Sequence, residues 1–88
     1  MMNLELQLRN ILQQVLNHNT DHFIETTPLL GEYPELDSMG LMSLLIAIEN
    51  DIKIEQDNID LTAETFATFG SLLRSLTQTR SLAERGHN

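Results

Sequence analysis

Apolar residues fall at helical spacing along much of the chain, with punctuation between the runs. From Leu4 to Leu16 they stand at Leu4, Leu8, Ile11, Leu12, Val15 and Leu16, separated by Glu5, Gln7, Arg9, Asn10, Gln13 and Gln14. One apolar stripe with polar residues around it predicts an amphipathic helix. Asn17-His18-Asn19-Thr20 should end it, because Asn and Thr offer the backbone competing local hydrogen bonds. From Asp21 to Asp37 no period holds, and Pro28, Gly31 and Pro34 disfavour a continuous helix or strand. That segment still carries Phe23, Ile24, Leu29, Leu30, Tyr33 and Leu36, too many large apolar groups for a disordered linker, so it reads as a long ordered loop that packs on the helices.

Asp37-Ser38 supplies two residues of the N-capping class ahead of Leu41, Leu44, Leu45, Ile48 and Ile52, which predicts a second helix over residues 38–51. Its other face reads Met39, Met42, Ile46, Glu49 and Lys53, placing three apolar side chains where a monomer normally puts polar ones. Residues 54–60 read as an acidic connector, and Leu61 to Phe66 as a third helix of one or two turns. Thr68 is the expected N-cap of a fourth helix over 69–77, with Phe69, Leu72, Leu73 and Leu76 on one face. No stretch alternates at period two. The expected fold is all-α, a small antiparallel four-helix bundle with a short third helix and a long first loop. Residues 1–79 form one domain, and 80–88 a flexible C-terminal tail.

Size and charge narrow the function. At 88 residues and 10.0 kDa a single core fits and a second domain does not. The chain has no Cys, which removes disulfides, thiolate metal sites and a cysteine nucleophile. Thirteen acidic residues against five basic ones give a formal charge of -8; this repels a phosphate backbone and favours basic partners over nucleic acid. The N-terminal residues lack a basic region followed by an apolar stretch, and no run reaches membrane-spanning length. A soluble cytoplasmic protein without membrane insertion is expected.

Three groups of residues offer chemistry. His18 and His22, four positions apart with Asp21 between them, have a metal-like spacing. The asparagines around them break the helix such a site needs, so solvated loop histidines are expected and no metal. The acids Glu49, Asp51, Glu55, Asp57 and Asp60 lack the turn glycine and closing Glu of a calcium loop when counted from Asp51. The third group is Glu35-Leu36-Asp37-Ser38-Met39-Gly40. It sets a hydroxyl at the positive end of a helix, where an attached phosphate gains about 0.3 to 1 kcal/mol from free N–H groups and the helix dipole. Taken alone, Ser38 also suits an ordinary N-cap.

The setting decides how that serine is read. A short acidic helical chain, an apolar-studded first loop, and Leu36-Asp37-Ser38-Met39 opening a helix with Leu44, Leu45 and Ile48 together resemble the acyl carrier protein family, including the related peptidyl carriers. The resemblance extends over about residues 4–76, through Phe66 and the Thr68-Phe69 start of the last helix. The family motif is usually Asp-Ser-Leu, and Met for Leu conserves volume. The resemblance implies that Ser38 receives 4'-phosphopantetheine covalently from coenzyme A through a phosphopantetheinyl transferase. The arm's thiol would carry acyl groups as thioesters between acyl-loading and acyl-processing enzymes, as in fatty acid biosynthesis and lipid metabolism. The chain itself is then no enzyme, and a shuttle of this kind works best as a monomer.

By the same resemblance Asp37 faces the transferase; its other reading is simply to favour the helix start. Met39, Met42 and Ile46, with Glu49, match positions that the family presses against partner enzymes, and flexible Met suits a surface serving several partners. Alternatively one or more of the three lines an interior pocket for the acyl chain. Fatty-acid carriers usually place carboxylates just after the modified serine, whereas this chain has Gly40 and Ser43; this points to a dedicated or accessory pathway. Gly40 also weakens the first turn by up to about 1 kcal/mol relative to Ala, leaving it more mobile. Two other classes remain: an unmodified carrier-like interaction module acting through Met39, Met42 and Ile46, and a hydrolase using Ser38. The latter lacks a Gly-x-Ser-x-Gly elbow, and His18, His22 and His87 fall in loop or tail, so no base is pre-organised.

Overall fold

Asn3 opens the first helix by accepting a hydrogen bond from Glu5 N–H at 2.7 Å through its side-chain oxygen, satisfying one of the helix's free donors. The computed structural model describes residues 3–86, with side chains described to residue 81. Helix α1 spans Leu4–Leu16 and stops where expected: Asn17 adopts a left-handed backbone, φ 57°, and its N–H closes on Gln13 O at 2.9 Å. Helix α2 spans Ser38–Ile52 and helix α3 Phe69–Gly86, with one turn of 3₁₀ helix at Gln56–Asn58. Among the described residues there is no strand, only an isolated bridge between Pro28 and Thr68. The chain is all-α.

One stripe from each helix builds the core: Leu8, Ile11, Leu12 and Leu16 from α1, Leu44, Leu45, Ile48 and Ile52 from α2, Phe69, Leu72 and Leu76 from α3. The long first loop adds Phe23, Leu29 and Leu36, as its apolar content implied, while Ile24 stays 63% exposed. The loop is held by backbone bonds. Leu29 and Leu30 N–H donate to Ala67 O and Phe66 O at 2.8 and 3.1 Å, and Phe69 and Gly70 N–H donate to Thr27 O and Glu25 O at 2.9 Å each. Gly70 permits this approach, since a Cβ there would lie 2.6 Å from Glu25 O.

Three expected elements differ in detail. The third helix over 61–66 is absent as a helix: Thr62 caps a single turn by accepting from Thr65 N–H at 3.2 Å. Phe66 N–H reaches Thr62 O at 3.4 Å, but the next N–H, of Ala67, closes on Glu64 O at 3.3 Å instead of Ala63 O, so no α-helical ladder forms; the carbonyls of Phe66 and Ala67, taken by the first loop, bar any continuation. The connector is more than an acidic surface, because Ile54 and Ile59 are buried on either side of the 3₁₀ turn. The last helix continues beyond Thr77, where the apolar stripe ends, so residues 80–86 of the expected tail are helical. Thr77 and Thr79 bond back to the carbonyls of Leu73 and Ser75, which leaves the helix unbroken. Residues 87 and 88, including His87, lie outside the described residues.

Candidate functional site

Ser38 is the first residue of α2 and is exposed. It is not the cap. Asp37 has the extended backbone of an N-cap, and its Oδ1 accepts from Gly40 N–H at 2.9 Å. Among the described residues no partner bonds the Ser38 hydroxyl, so the serine stands at the mouth of the helix with its oxygen uncommitted. The ordinary-cap reading of Ser38 thus gives way to Asp37, and the helix-start role of Asp37 is real.

The approach to Ser38 is braced from two sides. A Cβ on Gly40 would collide with the carbonyl oxygen of Glu35 and lie 2.9 Å from its carbonyl carbon. Glycine is therefore what lets the loop backbone rest on the first turn of α2, and the expected extra mobility of that turn is offset by this contact. On the other side His18 Nε2 lies 3.1 Å from Glu35 Oε2, and the His18 ring packs 5.4 Å from Tyr33. A hydrogen bond from its own backbone N–H holds the Glu35 carboxyl below its usual range, and the His18 contact acts in the same direction. His18 is thus a solvent-exposed loop histidine that also partners Glu35, while His22, exposed as well, packs edge-on to Phe23 at 5.1 Å. Among the described residues no cluster of three His, Asp or Glu side chains can hold a metal ion.

The outward face of α2 is as the sequence pattern placed it. Met39 is 80% exposed, Met42 53% and Ile46 45%. Glu49 is half-buried, 3.5 Å from Gln56 Nε2. All three apolar side chains face outward from the helix. A separate, almost wholly apolar cleft of about 310 Å³ lies between Leu30 of the loop, Leu41 and Leu45 of α2, and Leu61, Thr62, Ala63 and Phe66. Leu41 and Leu45 sit three and seven residues beyond Ser38, on its side of the helix. The cleft escaped sequence reasoning because Leu41 and Leu45 look like ordinary core positions. Only the turn at 62–66 shows that their outer edge is left open.

No protein-family model matches the chain, and no curated protein matches it either. A solved structure does: the solution structure of a holo acyl carrier protein from Nitrosomonas europaea is 36% identical, superposes with a TM-score of 0.77, and is matched over 92% of this chain and 99% of that one. The chain belongs to the acyl carrier protein family. Its role is that of a carrier and not of an enzyme. As an acyl carrier protein it has no helix among its described residues long and apolar enough to cross a membrane, and its uncommitted hydroxyl becomes the feature to explain.

Proposed function

We propose that Ser38 bears 4'-phosphopantetheine, transferred from coenzyme A by a phosphopantetheinyl transferase, and that the protein shuttles acyl groups between loading and processing enzymes. The observation that carries this reading is the exposed, unbonded Ser38 hydroxyl at the start of α2, with the capping duty performed by Asp37. A phosphodiester on Ser38 disrupts no native bond. It meets no carboxylate within the first turn of α2, and the dipole of the helix favours its charge. The arm supplies a thiol for thioester chemistry, which a chain without Cys lacks.

The protein's own residues do the remaining work. Asp37 fixes the turn that presents Ser38 and faces the transferase. Gly40 and Glu35 lock the loop against the helix, which keeps the attachment point from retreating. Met39, Met42 and Ile46 offer the partner enzymes an adaptable apolar seat, with Glu49 at its far edge. The cleft bounded by Leu30, Leu41, Leu45 and Phe66 begins one turn from Ser38 and shields an apolar acyl chain from water. Tethering turns each delivery into an effectively intramolecular encounter. The first turn of α2 has no acidic residue, which supports service in a dedicated or accessory branch of lipid metabolism, as a cytoplasmic monomer.

Coexpression with a competent transferase, followed by intact mass measurement, tests the reading. The expected result is one added arm on the wild-type chain and none on Ser38→Ala. A wild-type chain that gains no mass, or a Ser38→Ala chain that does, overturns it; the first outcome leaves the unmodified interaction module acting through Met39, Met42 and Ile46.

A further inference from the structure

Two methionines stand beside the attachment point. Met39 follows Ser38 directly and is 80% exposed; Met42 lies one turn on and is 53% exposed. The chain has no Cys, so among the described residues these thioethers are the sulfur atoms that the polypeptide itself presents. Peroxides convert a thioether to a sulfoxide, which changes a flexible apolar side chain into a polar, chiral one. From Ser38 to Ile48 helix α2 carries no charged residue, and its exposed large side chains there are Met39, Met42 and Ile46. Recognition along this stretch therefore rests on apolar contact, with charge only at its two ends, in Asp37 and Glu49.

We propose that Met39 and Met42 form a peroxide-sensitive modification site that switches the docking face of α2. In the forward step a sulfur lone pair attacks one oxygen of hydrogen peroxide. The S–O bond forms, the O–O bond breaks, and water leaves as the sulfur is oxidised by two electrons. In the reverse step a dithiol supplies two electrons and two protons, becomes a disulfide, and releases the oxygen as water. A sulfoxide oxygen pressed into an apolar seat arrives without a donor, and burying it unpaired weakens the complex. Met39, the more exposed, oxidises first. Ile46 is untouched by this chemistry, so docking is weakened and not abolished. The proposal rests on the carrier reading of Ser38.

The test uses the full chain before arm attachment, when no thiol is present. Hydrogen peroxide treatment is followed by peptide mass mapping. KM and kcat are then measured for arm transfer by a broad-specificity phosphopantetheinyl transferase with coenzyme A, before oxidation, after it, and after methionine sulfoxide reductases with a dithiol. The expected result is one oxygen on each of Met39 and Met42, a KM raised about fivefold or more, a smaller change in kcat, unchanged helical circular dichroism, and reversal by the reductases. In a Met39→Leu/Met42→Leu double variant, compared only with itself, peroxide should leave KM where it was. An unchanged KM for the oxidised wild type, an equal rise in the double variant, or loss of helix on oxidation overturns the proposal. Failure of the untreated protein to accept the arm overturns the carrier reading instead, and shows before any peroxide is added.

Discussion

Helices α1 and α2 lie against one another in the same core, yet they are built on different plans. Helix α1 buries Leu8, Ile11, Leu12 and Leu16, and its outer surface is mostly polar, with Leu6 as the large apolar exception. Helix α2 buries Leu44, Leu45, Ile48 and Ile52 and then presents Met39, Met42 and Ile46 to water as well. One stripe is enough to hold a helix on a core. The second stripe of α2 contributes little to the fold, and its position beside Ser38 is the ground on which it is proposed as a partner face. The two ends differ too: α1 begins with Glu5 in its first turn, whereas α2 has its acid only at the cap.

The sharpest way to break this comparison is to truncate both stripes of α2. Leu44→Ala should cost about 2 to 5 kcal/mol of stability, whereas Ile46→Ala, two residues on, should stay within about 0.5 kcal/mol in urea unfolding. An Ile46→Ala variant as damaged as Leu44→Ala would make the outward stripe structural. Next in size, Gly40→Ala should destabilise by about 1 to 3 kcal/mol, although Ala is the better helix former. A stabilised Gly40→Ala protein would show that the Glu35 carbonyl does not brace the turn.

Asp37 allows its two roles to be separated. Asp37→Ala should cost about 0.5 to 2 kcal/mol through the lost cap, while Asp37→Asn keeps the cap and removes the charge. Stability measured by thermal melting should recover in the Asn variant; a slower arm transfer that persists there would then report the charge facing the transferase. The smallest effect concerns Glu35. Its carboxyl is held below the ordinary value near 4.5, so its contribution is present above that value and is lost as pH falls through the folded-state value. The urea midpoints of wild type and Glu35→Gln should therefore converge as pH falls below 4.5. A gap that widens on acidification would contradict the sign.

Much of the fold is legible from local pattern. The bounds of α1 follow from its stripe and from Asn17, and the start of α2 from Asp37-Ser38 ahead of Leu41 and Leu44. The segment 61–66 reads as a helix because Thr62 is a sound cap. It tightens instead into a single turn closed by Ala67 N–H on Glu64 O, and the first loop bars its extension, because Leu29 and Leu30 claim the carbonyls of Ala67 and Phe66. The end of α3 was missed for the opposite reason: an apolar stripe marks where a helix touches the core, not where its hydrogen bonding ends. At the site, Ser38 and the exposed Met39, Met42 and Ile46 were readable. The cap assignment, the His18–Glu35 pair and the cleft were not.

Periodicity and capping chemistry, which act between residues close in sequence, were sufficient by themselves to determine an all-α chain with a serine at the mouth of its second helix; the carrier reading of that serine came from the family resemblance. Whether that hydroxyl was free, why the sixth residue of the Glu35-to-Gly40 run had to be glycine, and where an apolar cleft opened beside it depended on atoms brought together from distant parts of the chain. Those were decided only when the first loop closed over α2 and the start of α3. Hydrogen bonds and collisions of that kind have no signature in any single segment, because each needs two surfaces in contact.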